Sequence, residues 1–345
     1  MLTIYADTHN LHHGNGELMH GSIVPCFEMP RRAQLVLERV RAVGLGEVVA
    51  PRDHGLAPLT RVHTPEYVAF LESAWREWSA LGRTMDALPM TWAVRGMNQR
   101  HAPVHVDAKL GFYSFDGGAP VQAGTWRAVY GSAQVALEGA AWLSSGLSSA
   151  FALCRPPGHH AASDYMGGYC YLNNAAIAAQ ALLDAGSSRV AILDVDYHHG
   201  NGTQEIFYAR DDVLVVNIHG HPDFEYPFFL GHADETGVGA GEGYNLNLPL
   251  PAGTAFPAWL EALEVGCARV AEFKPDALVV SLGVDTYKGD PISQFKLESA
   301  DYLRIGRRIS RLQRPTLFVM EGGYAVEEIG VNAVNVLTGF EAGGS

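Results

Sequence analysis

The sequence predicts an α/β fold: a central, mainly parallel β-sheet flanked by helices on both faces. Short apolar runs alternate with amphipathic stretches from one end of the chain to the other. Several runs are apolar at successive positions, so both faces of the sheet must be covered. No internal repeat or low-complexity linker divides the 345 residues, so a single domain spanning 1–345 is expected, although length alone would admit two.

The first strand is expected at 2–6 and the first helix at 31–43, where Gly44 supplies a stop. A second helix runs over 65–81, since Pro65 after Thr64 fits a first turn, where its missing N–H costs nothing. After an irregular stretch the pattern resumes with a helix at 126–143, a strand at 150–154 and a helix at 174–184. Strands follow at 190–195 and 213–218, then a helix at 257–273 opened by Pro257, a strand at 277–282, a helix at 300–312 and a last strand at 316–320. The irregular stretch, 83–124, mixes charges with Gly, Pro and the aromatic residues Trp92, Phe112, Tyr113 and Phe115. A loop of that length inside a compact domain is either a loose insertion or a functional or interaction surface.

Composition narrows the function. A net charge of −13 opposes wrapping a polyphosphate, which makes nucleic acid a poor partner, and mildly favours cationic ligands. No apolar stretch is long enough to span a membrane, and 1–7 lacks the basic and apolar regions of a secretory signal. Cys26, Cys154, Cys170 and Cys267 stand apart with no CxxC pair, as expected of reduced thiols in a cytoplasmic protein.

Polar residues gather where apolar runs end, which is where open parallel sheets bind ligands. In ILDVDYHHGNGT (192–203), Asp196 and His198 are two apart, so in extended backbone both point one way and can reach one metal ion; Asp194 shares that face one step earlier. A carboxylate with an imidazole suits zinc or ferrous iron better than magnesium. SLGVD (281–285) repeats the pattern and offers Asp285 as a third ligand, leaving a position for water as catalytic zinc sites do. Only one such set is apparent, which opposes a binuclear manganese centre. RPPGHH (155–160) brings His159 and His160 to the same edge, one suited to shuttle protons and the other to act electrostatically. MEGGY (320–324) sets Tyr324 after two glycines, where its phenol can donate to a developing oxyanion. Singly, each residue reads as a cap or a buried hydrogen-bonding group; the combination points to chemistry.

The ordered strings CRPPGHH (154–160), GGYCYLNNAA (167–176), DVDYHHGNGTQ (194–204), SLGVDT (281–286) and EGGY (321–324) resemble the arginase/deacetylase superfamily. Within it they are similar to the zinc-dependent deacetylases, which include histone deacetylases and bacterial acetylpolyamine amidohydrolases. Similarity to the latter reaches furthest, through the amino-terminal region, the 83–124 insertion and 285–293. The resemblance implies zinc, or ferrous iron, on Asp196, His198 and Asp285. It implies His160 as general base and acid, His159 as its electrostatic partner oriented by Asp194, and Tyr324 as the carbonyl-polarising hydroxyl. Asn201 stands where some relatives have Asp behind the second histidine, which should leave His160 less strongly held as imidazolium.

A monovalent cation, K+ or Na+, is implied at Asp194 and at main-chain oxygens near Asp196, His198 and Ile218, with Asn217 where many relatives have Ser. A second such site is implied near Phe207, Arg210, Val213 and Tyr244. Gly168, Tyr169 and Tyr226 match positions lining an acyl-lysine or acyl-polyamine tunnel. The implied activity is hydrolysis of small acetylated diamines, with Asp107 or Asp116 meeting the distal ammonium. The implied assembly is a homodimer formed through the insertion, which narrows the channel. The competing readings are a protein lysine deacetylase and a catalytically silent acetyl-ligand sensor.

Overall fold

Uninterrupted apolar runs become interior strands, and the helices between them cover both sides of the sheet. The structure is a computed structural model, and it describes residues 1–343. In chain order the elements are β1 (Leu2–Ile4), β2 (Glu17–Met19), β3 (Ser22–Val24), α1 (Pro30–Val43), β4 (Val48–Val49), α2 (Pro65–Ser79), α3 (Val106–Phe112), α4 (Thr125–Ser144), β5 (Ser149–Ala152) and α5 (Asn174–Asp184). They continue with β6 (Val190–Asp194), α6 (Asn201–Phe207), β7 (Val213–Gly220), β8 (Asn245–Leu250), α7 (Phe256–Phe273), β9 (Ala277–Leu282), α8 (Asp301–Ser310), β10 (Thr316–Met320) and α9 (Val326–Gly343). Eight strands form one sheet in the order β4-β1-β5-β10-β9-β6-β7-β8, each pair parallel. The remaining two, β2 and β3, form an antiparallel hairpin.

Strand alternation divides the core. Leu278, Val280 and Leu282 of β9 pack with Trp259 and Leu263 of α7 and Ile305 of α8, whereas Ala277 and Val279 join Ala136 and Ala140 of α4 and Ala175 and Ala179 of α5. Each Val, Leu or Ile fully withdrawn from water in this way contributes about 1.5–3 kcal/mol. Capping fixes where helices begin: the Asn173 side chain accepts from the Ala176 N–H at 2.9 Å ahead of α5, and Pro65 follows the Thr64 cap of α2.

The hairpin, the edge strands β4 and β8, and helices α3, α6 and α9 were not expected from the pattern. In α9 the sequence VEEIGVNAVNVLTGF is rich in β-branched residues, Asn and Gly, all weak helix formers. Burial of Ala333, Val336 and Leu337 in the same core as α1 and α8 overrides that preference. The 83–124 stretch is ordered: Ala87 bridges Val121, and Leu110 and Tyr113 join Tyr67, Phe70 and Leu71 of α2 in a third apolar cluster. Its outer side leaves Met85, Met90, Val94, Met97 and Val104 exposed. Among the described residues no helix is long and apolar enough to cross a membrane, and all four cysteines are free and buried.

Candidate active site

Strands β5, β10, β9 and β6 lie side by side, and the segments leaving their carboxyl ends converge. His159 and His160 follow β5, Asp196 and His198 follow β6, Asp285 follows β9 and Tyr324 follows β10.

Strand β6 already stops at Asp194, so pleat alternation is not what aims Asp196 and His198 together. The chain turns instead by side-chain to backbone hydrogen bonds: Asp194 Oδ1 accepts the Asp196 N–H at 3.1 Å, and Asp196 Oδ1 accepts the His198 N–H at 2.9 Å. From the neighbouring loop, Asp285 Oδ1 accepts the Tyr197 N–H at 2.8 Å. These turns bring one donor atom each from Asp196, His198 and Asp285 within 4.8 Å of one another, all buried. His198 Nδ1 lies 3.1 Å from Asp285 Oδ2 and 3.4 Å from Asp196 Oδ1. Burial, and then the Asp196 carboxylate, push the Asp285 carboxyl up, as expected where two buried anions share a space that calls for a cation. Two carboxylates and an imidazole at this spacing fit a divalent metal ion. Gly322 packs against them: a Cβ there would sit 2.4 Å from Asp285 Oδ2 and 2.5 Å from Asp196 Oδ2.

The two histidine rings stand 4.1 Å apart but face different partners. His159 Nδ1–H donates to Asp194 Oδ2 at 3.0 Å, and His160 Nδ1–H donates to the amide oxygen of Asn201 at 2.7 Å. The Asn201 acceptor sets the His160 tautomer and frees its Nε2. Burial disfavours charge on His159, but Asp196 and Asp194 outweigh it and hold its pKa at about 10. For His160, burial is the largest cause that pushes the value well below the ordinary 6.5. Burial thus favours the neutral form of His160, which is the form a proton acceptor needs.

Above them stands an aromatic wall. The Tyr226 ring meets His160 edge-on at 5.0 Å, and Tyr169 lies 5.4 Å from Tyr324. Gly168 fits between, since a Cβ would lie 2.5 Å from His160 Cδ2 and 2.7 Å from the Tyr226 hydroxyl. Tyr324 is buried, and burial keeps its phenol protonated far above neutral pH although Arg32 opposes the shift.

Residues 26–340 match the histone deacetylase domain. The chain belongs to the histone deacetylase family. It is 62% identical to acetylpolyamine amidohydrolase 2 of Pseudomonas aeruginosa over 99% of both chains, and 48% identical to the acetylpolyamine amidohydrolase of Mycoplana ramosa over 98% of this chain and 99% of that one. The crystal structure of acetylpolyamine aminohydrolase from Burkholderia pseudomallei superposes with a TM-score of 0.95 at 44% identity, covering 99% of each chain. Membership of the histone deacetylase family implies a metal cofactor, and the Asp196, His198 and Asp285 set suits one.

Other residues singled out in this histone deacetylase-family sequence have the following protein partners. Asp107 is paired with the Arg83 guanidinium, at 2.9 Å through Nη2. Asp116 is a half-buried bracket: its carboxylate accepts from the Tyr226 hydroxyl at 2.6 Å and from the Gly118 and Gly168 N–H groups at 2.9 and 3.2 Å. Both carboxylates are thus engaged within their own chain. Asn217 faces Asp194 across the β6–β7 pairing, but its Oδ1 accepts the Gly200 N–H at 3.1 Å, so its side chain braces the 195–200 turn; Ile218 follows it in β7. Phe207 closes α6, Val213 opens β7 and Tyr244 precedes β8. The Phe207 carbonyl already accepts the Arg210 N–H, and the Tyr244 carbonyl accepts the Val215 N–H.

Sequence reasoning missed three things. Glu17, on β2, accepts from the Tyr169 hydroxyl at 3.1 Å while its buried Oε2 has no hydrogen-bond partner. Glu28 sits between Arg32 and Arg155, all three buried, and Arg32 lies over the Tyr324 ring at 4.7 Å. His159, Cys170 and Glu321 form a second close group, but Glu321 Oε2 is taken by the Gly158 and His159 N–H groups and His159 by Asp194. Apart from the Glu28–Arg32 pair, which is four residues apart, these contacts link distant segments that no local spacing signals.

Proposed function

We propose that this chain hydrolyses the acetyl amide of small acetylated polyamines, of the acetylputrescine or acetylcadaverine type, releasing acetate and free amine. The observation that carries the chemistry is the buried Asp196, His198 and Asp285 set beside a neutral His160 and the Tyr324 phenol. The substrate class is supported by 60–62% identity over 99% of the chain to acetylpolyamine amidohydrolases.

Asp196, His198 and Asp285 would hold zinc or ferrous iron, and when bound such an ion supplies Lewis-acid polarisation of the acyl oxygen and acidification of water. His160 takes a proton from the attacking water at Nε2 and returns it to the departing amine. His159, held by Asp194 through Nδ1 at 3.0 Å, is the electrostatic partner of His160 beside the negative charge that develops. The Tyr324 hydroxyl donates to the developing oxyanion, and replacing it by Phe should lower kcat by about two to three orders of magnitude. Tyr169, Tyr226 and Gly168 enclose a linear methylene chain, Asp116 fixes the Tyr226 wall, and Glu17 supplies the unpaired carboxylate oxygen for the distal ammonium.

K+ or Na+ at Asp194 and the Ile218 main chain, with Asn217 as brace, belongs to the same proposal. A second monovalent cation at the carbonyls of Phe207, Arg210, Val213 and Tyr244 does so too. One domain spanning 1–345, a homodimer formed through the exposed apolar side of the insertion and a cytoplasmic location complete it, supported by exposed Met85, Met90 and Met97 and by buried free thiols.

The test is acetate release from a panel of acetylated diamines and acetyl-lysine peptides, after metal-free protein is reloaded with zinc or ferrous iron. A higher kcat/KM on acetylputrescine is expected. A preference for peptides would favour a protein lysine deacetylase, and no acetate release with either ion would leave only a sensor.

A further inference from the structure

We infer that Asp290 is a positioning residue for the Tyr324 phenol, locking it in register with the loop that carries Asp285. The inference rests on the proposed role of Tyr324 at the oxyanion.

Tyr324 lies in the irregular segment between β10 and α9, so no regular element sets its backbone. Two side chains do that work from opposite sides. Arg32 donates to the carbonyl oxygens of Glu321 at 2.6 Å and Gly323 at 2.7 Å. Asp290 Oδ2 accepts the N–H of Tyr324 at 2.6 Å and of Ala325 at 3.1 Å, while its Oδ1 accepts the Ile292 N–H at 3.1 Å. Asp290 is 7% exposed, so these bonds form where lost partners would not be replaced by water.

The two N–H groups stand immediately before the first turn of α9, an 18-residue helix whose leading donors favour an anion. Five residues before Asp290, on the same loop, is Asp285. One carboxylate therefore sets the distance between the metal-ligand loop and the phenol loop. Spacing matters because an oxyanion donor must lie about 2.7–3.1 Å from the oxygen it stabilises, and a displacement of about 1 Å can cost about 100-fold. The loops keep a second link, the Val284 N–H to the Gly322 carbonyl at 3.1 Å, so loss of Asp290 should loosen the register without separating them.

The experiment is a double-mutant cycle on the full chain: wild type, Asp290→Asn, Tyr324→Phe and the double variant, assayed on acetylputrescine with bound metal counted. Asp290→Ser runs in parallel with the same expectations, in case Asp290→Asn does not fold. Asp290→Asn should lower kcat by about 10–100-fold with KM within about threefold and metal content unchanged. In the Tyr324→Phe background the same change should cost no more than about twofold, because the group it positions is gone. Equal losses in both backgrounds, a wild-type kcat for Asp290→Asn, or loss of metal would overturn the inference. A Tyr324→Phe variant with full kcat would instead sink the oxyanion role, and the inference with it.

Discussion

Replacing Asn201 by Asp places a carboxylate at a distance of 2.7 Å from His160 Nδ1, where the amide oxygen now accepts. With the charges about 4 Å apart and an effective dielectric of about 20, the attraction is about 4 kcal/mol, or about 3 pKa units. Desolvation of the new carboxylate takes back part of this, and about 1–3 units is the range for an opposite charge at such a distance. The sign follows from which form is stabilised. A carboxylate favours imidazolium, so the His160 value rises from its depressed position, and the neutral base is lost at a higher pH. The acid limb of kcat/KM on acetylputrescine should therefore move up by about 1–3 pH units, with activity at alkaline pH retained. Initial rates of acetate release across pH, with circular dichroism confirming the fold, provide the measurement. An acid limb that stays in place, or moves to lower pH, would refute the assignment of His160 as base.

Glu17→Gln should raise KM for acetylputrescine by about 10–100-fold while leaving KM for an uncharged acetamide of equal length unchanged, because only a charge-assisted bond is lost; equal effects on both would reject a role for Glu17 at the ammonium. Glu28→Gln leaves Arg32 and Arg155 buried without their anion and should cost about 3–5 kcal/mol in denaturant melts. Burial opposes ionisation of Glu28, but Arg155 and Arg32 win and hold its carboxyl below the usual 4.5. Its contribution is thus complete above that pH and lost as pH falls through the lower folded value, so the difference between wild type and variant should shrink in acid. His198→Ala should bring bound zinc well below one per chain and abolish the rise in Tm that added zinc gives the wild type; an unchanged stoichiometry would move the metal elsewhere.

Asp196, His198 and Asp285 were legible because donors of one kind follow apolar runs, and a parallel sheet gathers such ends. The local geometry was not: the pair is aimed by successive carboxylate turns, which spacing alone does not distinguish from a pleat. Helices α1, α2 and α7 were legible from caps and prolines, whereas α9 was hidden because tertiary packing overrides its weak propensity. Glu17 stayed hidden because its hairpin is three residues to a strand, turned at His20 and Gly21 with φ of 49° and 81°, too short to show alternation. Asp107 and Asp116 show a different limit of the sequence. An acidic residue in a long loop does not reveal its partner, and here the partners are Arg83, 24 positions away, and Tyr226, 110 positions away.

The Asp196 and Asp285 carboxylates are each tethered by main-chain amides of the same loop or its neighbour. Main-chain amides thus share with any bound ion the work of orienting these carboxylates. Small zinc modules behave oppositely, since there the ion creates the structure. Stripping and exchanging ions should accordingly be reversible here, with chelated protein keeping its native circular dichroism and regaining activity on simple addition of a new ion.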